Sequence, residues 1–278
     1  MSLLVLSAVL ASALLHAGWN ALIKNGGSKQ TGMLVLTLGH AVIGAVVVSM
    51  RPFPAGEVWP WLIASGLIHM AYQLFLAFAY EHGDLSRVYP IARGAAPLLV
   101  ALVGAFVLAD VITGAEYMGV FVLGTGILLM ARGVFHHGES QRLLPFALGS
   151  AVATAGYSIV DGLGARVSGD PVTYVGWLLI LSAAFYTPVV LGLHGTHVLR
   201  ASRKTWVMGG VAAAASYTAY GVVVWAMTQA PIALVTALRE TSILFAVLIG
   251  WVVFREPMQR SKVAAAALIV MGVVLTRL

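Results

Sequence analysis

The chain has 278 residues, 60% of them apolar and only 9% charged, against about 45–50% and roughly 25% in soluble proteins. Its 10 acidic and 16 basic residues cannot clothe a globule of this size in water, so a soluble domain is excluded. The formal charge of +6 is no signature of nucleic acid, because the basic side chains are scattered among apolar runs instead of forming one face. Cysteine is absent, which removes disulfides, thiolate metal ligands and cysteine nucleophiles from consideration.

A hydrocarbon core of about 30 Å needs about twenty apolar residues per helix. Windows of that length predict spans at Ser2–Lys24, Gln30–Met50, Val58–Glu81, Leu85–Ala109, Thr113–Ala131, Leu143–Arg166, Pro171–His194, Thr205–Gln229, Pro231–Phe254 and Pro257–Arg277. The first lacks the basic start and cleavage site of a signal peptide and is kept as a span. The uncharged stretch Thr205–Leu238 divides at Gln229-Ala230-Pro231, where proline suits a helix first turn. Continuous apolar runs exclude a β-barrel, whose strands alternate polar and apolar. The expected fold class is an all-α integral membrane protein with ten transmembrane helices.

Orientation follows from lysine and arginine in the loops. After the odd-numbered helices stand Lys24, Lys29, Arg87, Arg132, Arg142, Arg200, Arg203, Lys204, Arg255, Arg260 and Lys262, and on the other side only Arg51, Arg166 and Arg277. The odd-numbered loops are therefore expected in the cytoplasm and both termini outside.

The chain also resembles itself. Shifted by 146 positions, Arg93 falls on Arg239, Gly104 on Gly250, Asp110 on Glu256 and Gly126 on Gly272; shifted by 138, Ala17-Gly18-Trp19-Asn20 falls on Ala155-Gly156-Tyr157-Ser158. Two five-helix repeats are expected, residues 1–132 and 143–278, joined by a polar linker at 133–142. An odd number of helices per repeat inverts the second copy, a design of secondary transporters whose substrate site lies between the repeats near the midplane.

Four stretches carry a resemblance to a known family: HAGWNALIK at 16–24, YPIARGAAPLLVALVGAFVLAD at 89–110, LRETSILFAVLIGWVVFREP at 238–257 and AAAALIVMGVVLTRL at 264–278. With the ten-span layout they resemble the EamA type of the drug/metabolite transporter superfamily, over nearly the whole chain. The resemblance implies ten helices in a basket around a central cavity, moving metabolites without ATP. In size and layout the chain looks most like the superfamily's amino-acid exporters, which implies outward passage of aromatic and other neutral amino acids across the inner membrane by alternating access. Cationic drugs, or sugar phosphates and nucleotide sugars, stay as alternative cargoes. Small multidrug-resistance relatives use a glutamate in their first helix; here that face carries His16, Trp19 and Asn20, which disfavours a lipophilic-cation site.

Ionisable groups inside a span call for a cavity or a partner, and Arg93, Asp161, Arg239 and Glu240 qualify. One or both arginines are candidates to grip an anionic group of the substrate, since a guanidinium fork matches a carboxylate. The competing reading has Arg239 paired with Glu240 or Asp161, simply locking helices together. Helical spacing puts His16, Trp19, Asn20 and Lys24 on one stripe, and His69, Tyr72, Gln73 and Tyr80 on another. Tyr157 and Asp161, then Tyr217 and Tyr220, then Tyr89 in the helix of Arg93, complete the candidate cavity lining. Trp59, Trp61, Trp206 and Trp251 read as interfacial belt. His16, His40 and His69 are candidate proton relays, with Asp161 and Glu240 the better proton carriers if burial favours their neutral forms, and Pro90 and Pro97 bracket Arg93 in a candidate gate.

An intramembrane enzyme is the competing class, but no HExxH, GxSxG, paired aspartates or Walker sequence occurs. A small molecule and the bilayer are the expected partners. No nucleic acid, metal or cofactor is expected, and the chain is expected to act as a monomer.

Overall fold

The computed structural model describes residues 1–23, 29–82, 93–131, 143–253, 255 and 260–278, with no side chains for 21–23, 29, 80–82, 131 and 143. Most of these residues are helical, with no strand among them. The α-helices are α1 (Leu3–Ile23), α2 (Lys29–Ser49), α3 (Trp59–His82), α4 (Ala96–Val107), α5 (Gly114–Ala131), α6 (Leu143–Ser168), α7 (Pro171–His194), α8 (Arg203–Gln229), α9 (Ile232–Arg239), α10 (Ser242–Val252) and α11 (Arg260–Leu275). Among the described residues seven segments are long and apolar enough to cross a bilayer: Leu3–Asn20, Gln30–Ser49, Gly56–Ala79, Leu144–Ser168, Pro171–His194, Arg203–Gln229 and Ile232–Val252.

One predicted span is not a continuous helix. Between Pro231 and Phe254 the chain forms α9, breaks at Glu240 and Thr241, and resumes as α10. The last turn of α9 is tightened by bonds from the Glu240 amide to the Ala237 carbonyl and from the Thr241 amide to that of Leu238, both 3.1 Å. The Thr241 hydroxyl also donates to the Leu238 carbonyl, at 2.6 Å. Side chain and backbone thus compete for carbonyls that a continuous helix would use. A matching break follows Arg93: Arg93 and Gly94 are helical, Ala95 is a bend, and α4 starts at Ala96. Proline explains this one, because the ring of Pro97 would meet the carbonyl four residues back, that of Arg93.

Among the described residues the most extensive helix contacts recur when α1, α2 and α3 are exchanged with α6, α7 and α8, whereas α6 also packs on α7 and α8 with no comparable contact of α1 on α2 or α3. α3 packs on α6 as α1 packs on α8, and α3 packs on α7 as α2 packs on α8; α2 with α7, and α5 with α11, pair across the halves. The α5–α11 contact is backbone to backbone. A Cβ added at Gly272 would stand 2.8 Å from the Gly119 carbonyl oxygen and 2.6 Å from the Leu123 amide nitrogen. Gly272→Val is therefore expected to cost about 1–3 kcal/mol by forcing the helices apart, visible as a lower unfolding temperature in detergent.

Caps fix several helix starts. Thr113 and Glu116 form a reciprocal box at α5: the Thr113 amide donates to Glu116 Oε2 at 2.8 Å and the Glu116 amide to Thr113 Oγ1 at 3.2 Å. At α7, Asp170 Oδ1 accepts from the amides of Val172 and Thr173 at 3.0 and 3.2 Å, and Oδ2 accepts from Arg51 at 3.1 Å. Partial burial alone would raise the Asp170 pKa, but the bonds from Thr173, the Arg51 charge and the Val172 amide outweigh it and hold the carboxyl below its ordinary value. Stability from this cap is accordingly full at neutral pH and lost as pH falls through the depressed value. Asp170→Ala should cost about 1 kcal/mol at pH 7, and the gap between the two proteins should close on acidification in unfolding experiments.

Candidate functional site

Among the described residues four charged side chains are buried in this charge-poor interior, and the helix breaks bring three of them to one point. Arg93, just before α4, is 2% exposed; Arg239, at the end of α9, is 4% exposed; Glu240, in the break itself, is fully buried. Arg93 Nε donates to Glu240 Oε2 at 2.8 Å. Arg239 reaches Glu240 Oε1 only at 3.4 Å, through Nε and Nη2, which is long for a charge-assisted bond. One carboxylate thus serves a guanidinium from each half of the chain. Arg239 spends its short bond on Tyr157, whose hydroxyl accepts from Nη2 at 2.9 Å.

Tyr157 joins this cluster to a second one. Its ring stacks on His69 at 4.2 Å between centroids and meets Tyr72 and Tyr220 edge-on at 5.4 and 6.0 Å. The Arg239 guanidinium lies 5.5 Å from the Tyr157 ring centroid and 5.8 Å from that of Tyr220, within cation–π range. Beyond them Asp161, fully buried, faces His69 with 2.9 Å between Oδ2 and Nε2. The Tyr220 hydroxyl donates to the same oxygen, and that of Tyr174 donates to Oδ1 at 3.3 Å. Two guanidiniums and two carboxylates make a centre of zero net charge when His69 is neutral.

The structure therefore gathers His69, Tyr72, Arg93, Tyr157, Asp161, Tyr220, Arg239 and Glu240. His16 lies within electrostatic reach of both arginines and is met edge-on by Trp19 at 5.1 Å. Other candidates turn elsewhere. The Asn20 amide donates to the His16 carbonyl of its own helix at 2.8 Å, and Trp19 packs with Leu36, Ala212 and Ala213. Gln73 reaches Ser182 at 3.4 Å. Tyr217 packs against the cluster that contains Val58, Leu62 and Tyr174. Tyr89 and Lys24 lie outside the described residues, as does the side chain of Tyr80.

Two participants escaped the sequence reading. Tyr174 stands three residues into α7 and was not among the candidate lining residues. Asp110 was marked only as the repeat partner of Glu256. In the structure Arg166 grips Asp110 with both terminal nitrogens, at 2.8 and 3.3 Å, and donates to the carbonyls of Met227 and Ala230. Asp110 in turn accepts from the Ile232 amide at 2.8 Å, capping α9. One ion pair thus ends α8, starts α9 and ties the first half of the chain to the second.

Comparison with known proteins bears on both fold and function. No curated protein matches the chain. A solved structure titled "Crystal structure of protein" shares the fold, with a TM-score of 0.77 over 99% of this chain and 98% of that one, at 19% identity. Residues 142–278 match the EamA-like transporter family. Just under half of the chain is thus similar to an EamA-like transporter domain, a likeness that supports the drug/metabolite transporter superfamily and points to a multi-pass membrane transporter of small molecules rather than an enzyme.

Proposed function

We propose that the chain is a secondary transporter that exports amino acids, aromatic and other neutral ones, across the inner membrane by alternating access. The observation that carries this reading is the zero-charge centre in which Arg93, Arg239 and Glu240 stand beside an aromatic wall and Asp161. A zwitterion adds a carboxylate and an ammonium together, so it leaves no uncompensated charge in a low-dielectric interior. Its carboxylate suits the guanidiniums; its ammonium suits Asp161 and the faces of Tyr157 and Tyr220.

The wider architecture in this proposal is ten spans in two inverted five-helix repeats, residues 1–132 and 143–278, around a central site. Supporting it, α4 and α10 begin 146 positions apart, at Ala96 and Ser242, each after a break that follows an arginine. The most extensive helix pairs, α3 with α6, α3 with α7, α2 with α7 and α5 with α11, also map onto existing pairs when the halves are exchanged. Supporting the orientation, all three basic residues assigned to the outside are engaged: Arg51 with Asp170, Arg166 with Asp110, and Arg277 with the Met1 carbonyl. The proposed unit is a monomer that needs no cofactor.

The test is scintillation-proximity binding of tritiated phenylalanine to the purified protein. Saturable binding is expected, weakened about 10- to 150-fold by Arg239→Gln, since a charged hydrogen bond contributes about 1.5–3 kcal/mol. Binding of a lipophilic cation or a nucleotide sugar in its place would select one of the other cargoes.

A further inference from the structure

The two carboxylates at the centre are balanced by different means. Glu240 lies against two guanidiniums, which stay charged at any physiological pH. Asp161 is reached from α3 by His69, from α7 by Tyr174 and from α8 by Tyr220. None of these is a fixed cation. Arg239 of α9, the guanidinium beside them, donates to Tyr157 and Glu240. A fully buried carboxylate without a countercharge is strongly unfavourable. The guanidiniums that balance the centre bond Glu240 and Tyr157, so the positive charge this arrangement brings to the Asp161 oxygens themselves is a proton, held between Oδ2 and His69 Nε2 across 2.9 Å.

A second buried imidazole extends the site. His40 on α2 is 7% exposed, and among the described residues neither of its ring nitrogens has a hydrogen-bond partner. Histidine is suited to relaying protons because one ring nitrogen can take up a proton while the other gives one away.

We infer that His69 and Asp161 form a proton-binding site, and that a proton there and the ammonium group of a substrate exclude each other, so export of one amine-bearing molecule returns one proton. The inference rests on the transport reading above and deepens it. On loading, a proton arrives at His69 Nδ1 and the Nε2 proton passes to Asp161 Oδ2, leaving a neutral imidazole and a neutral carboxyl. On unloading, the carboxyl O–H bond breaks, the proton leaves through His69, and an ammonium N–H donates to the freed carboxylate. The charge change is felt at the anion-gripping arginine, because Tyr157 stacks on His69 and accepts from Arg239.

Two readouts on the purified protein test this. In infrared difference spectra without substrate, a protonated-carboxyl band should grow on acidification, vanish in Asp161→Asn and shift in Asp161→Glu; the second variant decides the matter if the first fails to fold. In weak buffer with an indicator dye, phenylalanine should release about one proton per protein from the wild type and none from Asp161→Asn. A spectrum with no carboxyl band sensitive to either variant would overturn the proton site. Phenylalanine that binds without releasing protons would overturn the exchange. A protein that binds no phenylalanine contradicts the amino-acid reading instead, and the band still decides whether the proton site exists.

Discussion

Glu240→Gln should be the most damaging single substitution in the protein. The amide keeps the shape but removes the negative charge that both arginines share, at a place with no exposure to water. Removing one member of a buried ion pair costs about 3–5 kcal/mol, because the other charge is left uncompensated. Here the short bond from Arg93 is lost, and so is the weaker hold on Arg239. Thermal unfolding in detergent should show the loss of stability. Glu240→Asp keeps the charge but is one methylene shorter, and should fall between the two. A double variant, Glu240→Gln with Arg93→Met, should recover part of the stability, since it removes the stranded cation as well as its partner. If Glu240→Gln unfolds at the wild-type temperature, the carboxylate is not holding the halves together.

The second large effect is expected at Asp110, which does two things at once. As an acceptor for the Ile232 amide it caps α9, and a cap contributes about 0.5–2 kcal/mol. As a bidentate partner of Arg166 it joins the halves at the end of the bundle where α8 stops and α9 starts. Arg166 is 30% exposed, so solvent screens part of that pair, and Asp110→Ala should cost about 2–3 kcal/mol in all. Asp110→Asn keeps a good cap and loses the charge, so its cost should be smaller. The absence of native cysteine makes a clean reporter possible. In an Ala233→Cys background, a fully buried position next to the Ile232 amide that Asp110 caps, Asp110→Ala should speed reaction with a membrane-impermeant thiol reagent. An unchanged labelling rate would mean that Asp110 and Arg166 do not close this end.

Much of this centre was legible because charge is so scarce in the chain. Arg93, Asp161, Arg239 and Glu240 stood out as ionisable groups in apolar spans, and helical spacing placed His69, Tyr72, Tyr157 and Tyr220 on candidate faces. The partners were not legible. Spacing gives a residue's direction around its own helix but not its depth or its neighbour across the bundle. Hence Arg239 was expected either to grip substrate or to pair with Glu240 or Asp161, and its short bond goes to Tyr157. Tyr174 was missed because a tyrosine near a helix start has the same signature whether it faces headgroups or a buried aspartate. The two breaks differ in the same way. The one after Arg93 is announced by Pro97, whereas the one after Arg239 depends on Thr241 turning its hydroxyl to the Leu238 carbonyl, a choice that threonine makes only in context. Among the described residues seven segments meet the length and hydropathy of a span, while α4, which starts after the break at Ala95, has 12 residues. Composition marked where apolar chain runs, and local breaks decided how much of it is one helix.

Counterflow in proteoliposomes tests the central claim most directly. Vesicles carrying the purified protein and loaded with unlabelled phenylalanine, methionine or threonine should take up the labelled amino acid transiently and saturably, and Arg239→Gln should lose that uptake while remaining folded. A folded, inserted protein that exchanges none of the three, yet exchanges a sugar phosphate, a nucleotide sugar or a lipophilic cation, would contradict the amino-acid account.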